Sequence, residues 1–327
     1  MRTFQPFLQR SRVRCLLFLA LVLVCIATLL ATASGATDRE WVWMEEPTNS
    51  FFMDVWGRSW NNVYAVAGGG VIVHYDGAQW TRVPGPFETT DHFKTVSGYS
   101  SADVWVVGAY GSAYHFDGVQ WTGAPSPRGV ELTDVWCPIY YGRYATENGP
   151  YGSALLRDGG AGWICQEFPS LAPQHAIWGS DTDDVFVVGD GGGIFHFDGK
   201  VWTEMPTPTS ETLLDVWGFS GGPVFAVGAN GTILQLGGAT WVQIPFPAYP
   251  GTADSTLPTL RAIWGASPTD ILVCGEGTLQ NHAMLHFDGS EWRQCADDPT
   301  SAYGIWGTSM DDVFVVGFDG IFHSTAP

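Results

Sequence analysis

The residues with the most chemical potential recur at regular spacing. Five of the eight histidines occupy one repeated position: His74, His115, His196, His286 and His323. A metal ion needs His nitrogens at about 2 Å. Each of these histidines belongs to a different repeat, and the strand spacing predicts neighbouring copies roughly 10 Å apart or more. The pattern therefore favours a structural role, in which each ring orients a nearby Asp-Gly turn by a hydrogen bond.

Asp or Asn residues also recur in turns, where we expect them to cap the turn. The cap positions are Asn62, Asp103, Asp184, Asp270 and Asp312. Ca²⁺ is the one cofactor that the paired acids would suit, but no twelve-residue loop organises them. No Ser, His and Asp set, zinc spacing or phosphate loop is visible. We therefore predict no cofactor, no metal site and no catalytic residues, so that an enzyme is the weaker interpretation.

Tyr and Arg in irregular loops are typical of recognition surfaces. The stretch from Cys137 to Tyr151 is broken by Pro and Gly and departs from the pattern around it. A decayed repeat with a tolerated loop explains it equally well. Trp60, in a separate turn, is the best candidate for an exposed aromatic residue. The predicted binding residues are Trp60, Tyr140, Tyr141, Arg143, Tyr144 and Tyr151.

These groups are positioned by a sequence repeat of 39 to 47 residues. The clearest element of the repeat is Val or Ile followed by Trp and Gly. Four strand-like runs separated by Gly, Asp and Ser occur in each unit. Such a unit predicts an all-β, seven-bladed β-propeller with four-stranded antiparallel blades. The third unit is degenerate but keeps both ends, so we count it as a blade. The equivalent inner-strand positions are Trp56, Ser97, Trp136, Trp178, Trp217, Trp264 and Trp306.

The chain ends predict how the ring closes. The seventh unit lacks the outermost strand, which elsewhere reads Trp-x-x-x-Pro, and a matching stretch occurs at Trp43 to Pro47. The N-terminal strand should therefore complete the last blade and remove an unpaired edge. Inter-blade packing accounts for the repeated Trp residues. In the sixth unit, the connection 247–258 and the hairpin 275–282 are long, and both should enlarge one rim.

The repeat resembles the short propeller repeats of bacterial secreted proteins, which are similar to sialidase-type or WD-repeat propellers. The resemblance covers roughly residues 40 to 327 and rests on Val-Trp-Gly, Asp-Val-Phe-Val-Val-Gly and His-x-Asp-Gly-x-x-Trp phrases. It implies a fold and hardly any function. Neither the terminal Trp-Asp of WD repeats nor the three clustered arginines of a sialidase site is present.

The first 36 residues predict a secretory signal peptide. Four arginines precede an apolar run from Cys15 to Ala31, and small residues up to Ala36 offer a cleavage site. A retained transmembrane anchor is the competing interpretation. Cleavage leaves one domain, 37–327, secreted or in the periplasm or envelope, with no stable membrane insertion. It removes four of 14 basic residues and none of 33 acidic ones, so the formal charge becomes 10 minus 33, or −23. Such acidity disfavours nucleic acid.

Four cysteines remain after cleavage, and export favours their oxidation. Sequence-local pairing predicts the disulfides Cys137–Cys165 and Cys274–Cys295, each within one blade. Cross-blade pairs are disfavoured, because strands of different blades are mostly too far apart for a disulfide. Within its blade, the Cys274–Cys295 pair falls on strands two and four, so its bond must form past a strand end or in a loop.

Two functions remain. The first is an exported binding or scaffold protein that recognises a protein partner or a glycan through rim loops. The alternative is a propeller-type hydrolase or lyase acting on an extracellular polysaccharide. An enzyme needs convergent acids, whereas the inner strands are expected to supply chiefly Trp, Val, Ile and Gly.

Overall fold

Seven four-stranded antiparallel sheets form the molecule in its computed structural model. The structure describes residues 40–325 except 89, 139–141, 151, 167, 248–255, 278–282, 296–298 and 300. Each blade runs from the innermost to the outermost strand in chain order, apart from the last. This confirms the predicted seven-bladed propeller, including the third blade.

The strands follow the four runs of each repeat closely. Blade 1 comprises β2 (Phe52–Ser59), β3 (Asn62–Ala67), β4 (Val71–Tyr75) and β5 (Trp80–Arg82). Blade 2 comprises β6 (Phe93–Ser100), β7 (Asp103–Gly108), β8 (Ala113–Phe116) and β9 (Trp121–Gly123). Blade 3 comprises β10 (Glu131–Trp136), β11 (Arg143–Asn148), β12 (Ala154–Asp158) and β13 (Trp163–Gln166).

Blades 4 to 6 comprise β14 (Gln174–Asp181), β15 (Asp184–Gly189), β16 (Ile194–Phe197), β17 (Trp202–Glu204); β18 (Leu213–Gly218), β19 (Val224–Gly228), β20 (Ile233–Gly237), β21 (Thr240–Ile244); and β22 (Thr259–Ser267), β23 (Asp270–Glu276), β24 (Leu285–Phe287), β25 (Trp292–Gln294). Blade 7 comprises β26 (Ala302–Ser309), β27 (Asp312–Gly317), β28 (Gly320–Thr325) and the N-terminal β1 (Trp41–Met44). Short 3-10 turns occupy Ala109–Gly111 and Asp190–Gly192.

The ring is closed by β1, as predicted, but in a different register. Trp41 pairs with Ser324, as Trp80 pairs with Tyr75 in blade 1. Trp41, which is half-buried, is therefore the outer-strand equivalent in blade 7, and Trp43 is exposed. The assignment of Trp43 was wrong because two Trp residues stand two positions apart, and only strand pairing distinguishes them.

Neighbouring blades interlock through a Trp and Gly pair. A Cβ added to Gly57 would lie 2.7 Å from the Trp306 ring of the preceding blade, so only Gly leaves room. Four further pairs repeat this contact: Gly98 with Trp56, Gly179 with Trp136, Gly218 with Trp178 and Gly307 with Trp264. Where Ser97 replaces Trp in blade 2, Cys137 replaces Gly in blade 3, and the Ser97 hydroxyl and Cys137 thiol interact.

The recurring histidines do not act on the turn that we predicted. Instead, four of the five His rings bond the cap carboxylate of the neighbouring strand: His115 Nε2 lies 2.7 Å from Asp103 Oδ1 and His196 Nε2 2.8 Å from Asp184 Oδ1. The same pair recurs in blades 6 and 7. The recurring histidines and the turn caps, which are separate features of the sequence, thus contact each other across neighbouring strands.

Blade 1 breaks this pairing because Asn62 stands where blades 2, 4, 6 and 7 have Asp. His74 Nε2 and Asn62 Oδ1 are both buried without a hydrogen-bond partner among the described residues. Burial lowers the pKa of His74. Blade 1 therefore lacks a charge-assisted contact that four other blades possess.

Candidate functional site

The two faces of the ring differ in their loops. We call the side that carries the inter-blade connections and the turns between second and third strands the connection face. The opposite side carries the remaining turns, and we call it the hairpin face. A central cavity of about 160 Å³ is lined by the inner strands of all seven blades near the connection face.

Three carboxyl groups converge on this cavity. Asp54, Asp134 and Asp215 stand two residues before the inner-strand Trp of blades 1, 3 and 5. The expectation that inner strands supply no convergent acids was therefore wrong. The signal was an Asp-Val-Trp phrase that repeats in alternate blades, and it was overlooked because the turn acids are far more numerous.

Each of these carboxylates also links its blade to the next. Asp54 Oδ2 accepts the backbone N–H of Val96 at 2.9 Å. Asp134 Oδ2 accepts that of Ile177, and Asp215 Oδ2 that of Ile263, both at 2.8 Å. We call this set of three carboxyl groups the acid ring. It fastens the inner strands of adjacent blades.

Burial is the largest cause of the altered acidity of the acid ring. It raises the pKa of Asp54 to about 6 and, with the nearby charge of Asp54, that of Asp134 to about 7. The pKa of Asp215 is raised well above its usual value for the same reasons. Backbone N–H donors oppose the shift but do not cancel it.

One hydroxyl bridges two of the three acids. Thr95 Oγ1 lies 2.9 Å from Asp54 Oδ2 and 3.0 Å from Asp134 Oδ1. A hydroxyl has one proton, so it can donate to only one carboxylate. The second contact is favourable when the other carboxyl is protonated and donates to the hydroxyl, which agrees with the raised pKa values.

Above the acid ring, ion pairs surround the cavity mouth. Lys94 pairs with Glu131 from the next blade. His175 Nε2 lies 2.8 Å from Asp190 Oδ1, and Arg261 Nη2 3.0 Å from Glu276 Oε1. Each of these basic side chains thus has an acidic neighbour, so the mouth is not a basic patch.

An aromatic cluster lies beside this mouth. The Arg261 guanidinium is 4.6 Å from the centre of the Tyr303 ring, and the Tyr303 hydroxyl bonds Glu276. The Phe51 ring packs edge-on against Tyr303, with ring centres 4.8 Å apart, and reaches Phe318 at 5.9 Å. Phe318 is 71% exposed and Phe51 38%. We call Phe51, Tyr303 and Phe318 the mouth cluster.

Three of the six predicted binding residues, Trp60, Arg143 and Tyr144, lie in the part of the chain that the structure describes. Tyr140, Tyr141 and Tyr151 lie outside the described residues. Tyr144 is 2% exposed and packs on Trp136, so its ring is part of the wall between blades. Burial raises the pKa of Tyr144.

Arg143 holds two blades together. Its Nη2 lies 2.9 and 3.0 Å from the two Asp103 oxygens, and its guanidinium is 5.2 Å from the centre of the Trp105 ring. The Arg143 guanidinium is therefore occupied by contacts within the fold, whereas a recognition residue leaves its side chain exposed to a partner. Trp60 is 56% exposed, as expected, and lies on the hairpin face.

No disulfide is present among the residues that the structure describes, so neither predicted bond is shown. Cys137 follows the innermost strand of blade 3 and Cys165 lies on the outermost, with β11 and β12 between them. Burial raises the pKa of the Cys137 thiol to about 12, whereas Cys165 is exposed. Cys274 and Cys295 do pack in one hydrophobic cluster.

Two negative findings concern the described part of the chain. No group of three or more His, Cys, Asp or Glu side chains there is arranged to hold a metal ion. Within the same residues, no helix has the length and apolar character needed to span a bilayer.

Comparison with known proteins shows the fold. No protein family and no curated protein matches the sequence. Among solved structures, YCF48 bound to D1 peptide is 16% identical with a TM-score of 0.69, covering 90% of this chain and 96% of that one. Virginiamycin B lyase from Staphylococcus aureus is 12% identical with a TM-score of 0.72, covering 88% and 99%.

The WD40 β-propeller domain of Doa1 is also similar, at 12% identity and a TM-score of 0.67, covering 88% of this chain and 96% of that one. These proteins include one bound to a peptide and one lyase. At such low identity the likeness establishes a propeller and says nothing about the chemistry of the site.

Proposed function

We propose that this chain is an exported scaffold that binds a polypeptide partner through its connection face. The observation that carries the proposal is the mouth cluster, in which Phe51 and Phe318 expose aromatic rings beside the central cavity. Large apolar groups that remain exposed together are typical of interaction sites. Tyr110 and Leu171 add two more exposed side chains to this face.

The hydrogen-bonding pattern supports binding rather than turnover. All three acids at the cavity accept backbone N–H groups of the next blade. The basic side chains at the mouth likewise lie beside acids. The polar groups at the mouth are therefore engaged within the fold, while the exposed rings of Phe51 and Phe318 are left for a partner.

Peptide display on the immobilised ring tests the proposal. We expect selected peptides to bind, and Phe318→Ser to weaken their binding at least 10-fold. Ile164→Ser is the matched control, because Ile164 is 61% exposed on the outermost strand of blade 3, away from the connection face. Failure to select any peptide, or equal losses in both variants, would reject the proposal. Binding only to arrayed glycans would also reject it in favour of a lectin.

Export is the second part of the proposal and rests on the leader sequence, which lies outside the described residues. A reporter fused after residues 1–36 should reach the extracytoplasmic fraction and begin near residue 37. The matched control replaces Arg10, Arg12 and Arg14 with Glu. A reporter that stays inside the cell, or that keeps the leader in the membrane, would contradict cleavage and release.

The acid ring favours one alternative function, a hydrolase or lyase acting on a polysaccharide. A carboxyl group whose pKa lies near 7, as burial makes that of Asp134, is suited to donate or accept a proton in catalysis. Depolymerisation of a polysaccharide by the protein, abolished in Asp134→Asn with the fold retained, would establish this alternative. No turnover across a polysaccharide panel would remove it.

A further inference from the structure

The turns between second and third strands show one anomaly, at Tyr110. Equivalent turns place Gly69, Gly191 and Asn230 in the left-handed region, with φ of 75°, 67° and 52°. In blade 2 this position is Tyr110, with φ of 56°. Gly and Asn tolerate that conformation, whereas a bulky side chain there is an outlier that costs conformational free energy.

No packing contact in the described part of the chain offsets this conformational free energy. The Tyr110 side chain is 76% exposed and makes no hydrogen bond or ring contact with the residues that the structure describes. Backbone strain that is retained without a structural benefit is a marker of function. An exposed aromatic ring at a position that prefers Gly is therefore best explained by contact with a ligand.

The equivalent turn of blade 7 carries another exposed aromatic ring. Phe318 stands between Gly317 and Gly320, which pair at the end of the hairpin. Phe51 contacts it from the start of blade 1. Blades 7, 1 and 2 are consecutive in the ring, so exposed aromatic side chains flank blade 1 on both sides.

Blade 1 itself has no side chains in this turn. Gly68, Gly69 and Gly70 form it. A Cβ added to Gly69 would meet no atom within 4 Å, whereas Gly68 and Gly70 already lie against His92 and Glu88 of the same chain, so Gly69 is the open position of this turn. Main chain without side chains allows another backbone to approach closely. We call this glycine floor, together with Tyr110, Phe51 and Phe318, the blade-1 saddle.

The charges beside the saddle indicate the sign of its partner. Glu45, Glu88 and Asp319 are exposed in the segments that flank it. The titratable residue His92 lies against Gly68. Carboxylates thus dominate the flanks, in keeping with a net charge of −19 for the chain. A cationic partner is electrostatically complementary to such a surface.

We propose that the blade-1 saddle binds an extended, basic polypeptide segment, with its backbone over the glycine floor and its apolar side chains against Tyr110 and Phe318. This inference rests on the proposed polypeptide-binding function and specifies the site and the chemistry of the partner.

The test uses the full mature chain and two synthetic probes. One is an extended decapeptide that alternates Lys with Val and Phe, and the other has Glu in place of Lys. We expect the Lys peptide to bind at least 10-fold more tightly than the Glu peptide, with a preference that weakens as salt is added.

Tyr110→Gly separates a binding role from a structural one. Gly is the residue that equivalent turns use, so this variant should melt at the same temperature as the parent or higher, while it loses at least 10-fold in affinity for the Lys peptide. Trp60→Ser is the matched control, since Trp60 is an exposed aromatic residue on the hairpin face.

Three results would overturn the saddle: unchanged affinity in Tyr110→Gly, an equal loss in Trp60→Ser, or equal binding of the Glu peptide. If peptides selected by display still bind under any of these results, only the saddle fails. If the ring binds neither the probes nor any displayed peptide, the proposed function fails with it.

Discussion

The wall between blades and the connection face follow opposite rules. In the wall, residues repeat from blade to blade, as in the contact of Trp306 with Gly57, and their roles are explained by packing. On the connection face, Tyr110 and Phe318 have no counterparts in neighbouring turns and gain little from the fold. The difference teaches that in a repeat protein the shared residues report stability, while departures from the repeat report function. Changes to the wall should therefore alter stability, and changes to the connection face should alter binding.

The largest effect is expected from opening the ring. A chain that starts at Phe51 lacks β1, which pairs with β28 over four residues. The last blade would then expose an edge strand and its apolar face. We expect a fall of at least about 10 °C in Tm, or loss of cooperative unfolding, measured by calorimetry. Melting like that of the full mature chain would contradict closure by β1.

Removing one interlocking ring should cost less. Trp178 is buried against Gly218, so Trp178→Ala should lower the free energy of unfolding by roughly 3 to 5 kcal/mol. Trp217 is only half-buried, and its Nε1 has no partner among the described residues. Trp217→Ala should therefore cost less in the same denaturant titration. A reversed order, or loss of peptide binding without loss of stability in Trp178→Ala, would break the distinction between wall and face.

The acid ring predicts a pH dependence of stability. Burial raises the pKa of Asp134 to about 7 in the folded state, above its usual value of 3.8. Its contribution is thus fully present below about pH 4 and is lost as pH rises towards 7. Asp134→Asn, which cannot ionise, should be more stable than the parent at pH 8 by at least about 1.4 kcal/mol, the equivalent of one pKa unit.

That advantage of Asp134→Asn should shrink at pH 5, where the parent carboxyl is protonated. Denaturant titrations of both proteins at the two pH values measure it. Asp117→Asn is a suitable control, because Asp117 caps an exposed turn, and backbone N–H bonds lower its pKa. A constant difference between parent and Asp134→Asn at both pH values would exclude a raised pKa at this site.

The smallest effect concerns blade 1, where Asn62 faces His74 without a hydrogen bond. Asn62→Asp recreates the pair that Asp103 and His115 form in blade 2. We expect a gain of about 0.5 to 1.5 kcal/mol in the free energy of unfolding and a higher pKa for His74 by NMR titration. A destabilised Asn62→Asp variant would show that the His and Asp contact does not stabilise the blades.

The sequence predicts the propeller well because blade packing demands similar residues at the same positions in most blades. The ring closure by β1 and the third blade both follow from that periodicity. The registers within a blade are less accessible, as Trp41 and Trp43 show, because residues two apart share one face of a strand.

The candidate site is harder to predict for a physical reason. The acid ring forms only when inner strands from alternate blades meet at one cavity, and no single repeat contains it. The significance of Tyr110 depends on a backbone angle of 56°, which the residue type alone does not indicate. Tyr144 and Arg143 look like recognition residues in the sequence because the sequence does not show their structural contacts, which lie on a neighbouring strand or blade.

Amide hydrogen exchange of the ring, with and without a peptide selected by display, tests the central claim most directly. We predict slower exchange in turns of the connection face, above all at Gly68–Gly70, Ala109–Gly111 and Phe318–Gly320, and no change in the turns at Trp60 and Asp183 on the hairpin face. Protection confined to the hairpin face or to the outermost strands would contradict binding through the connection face.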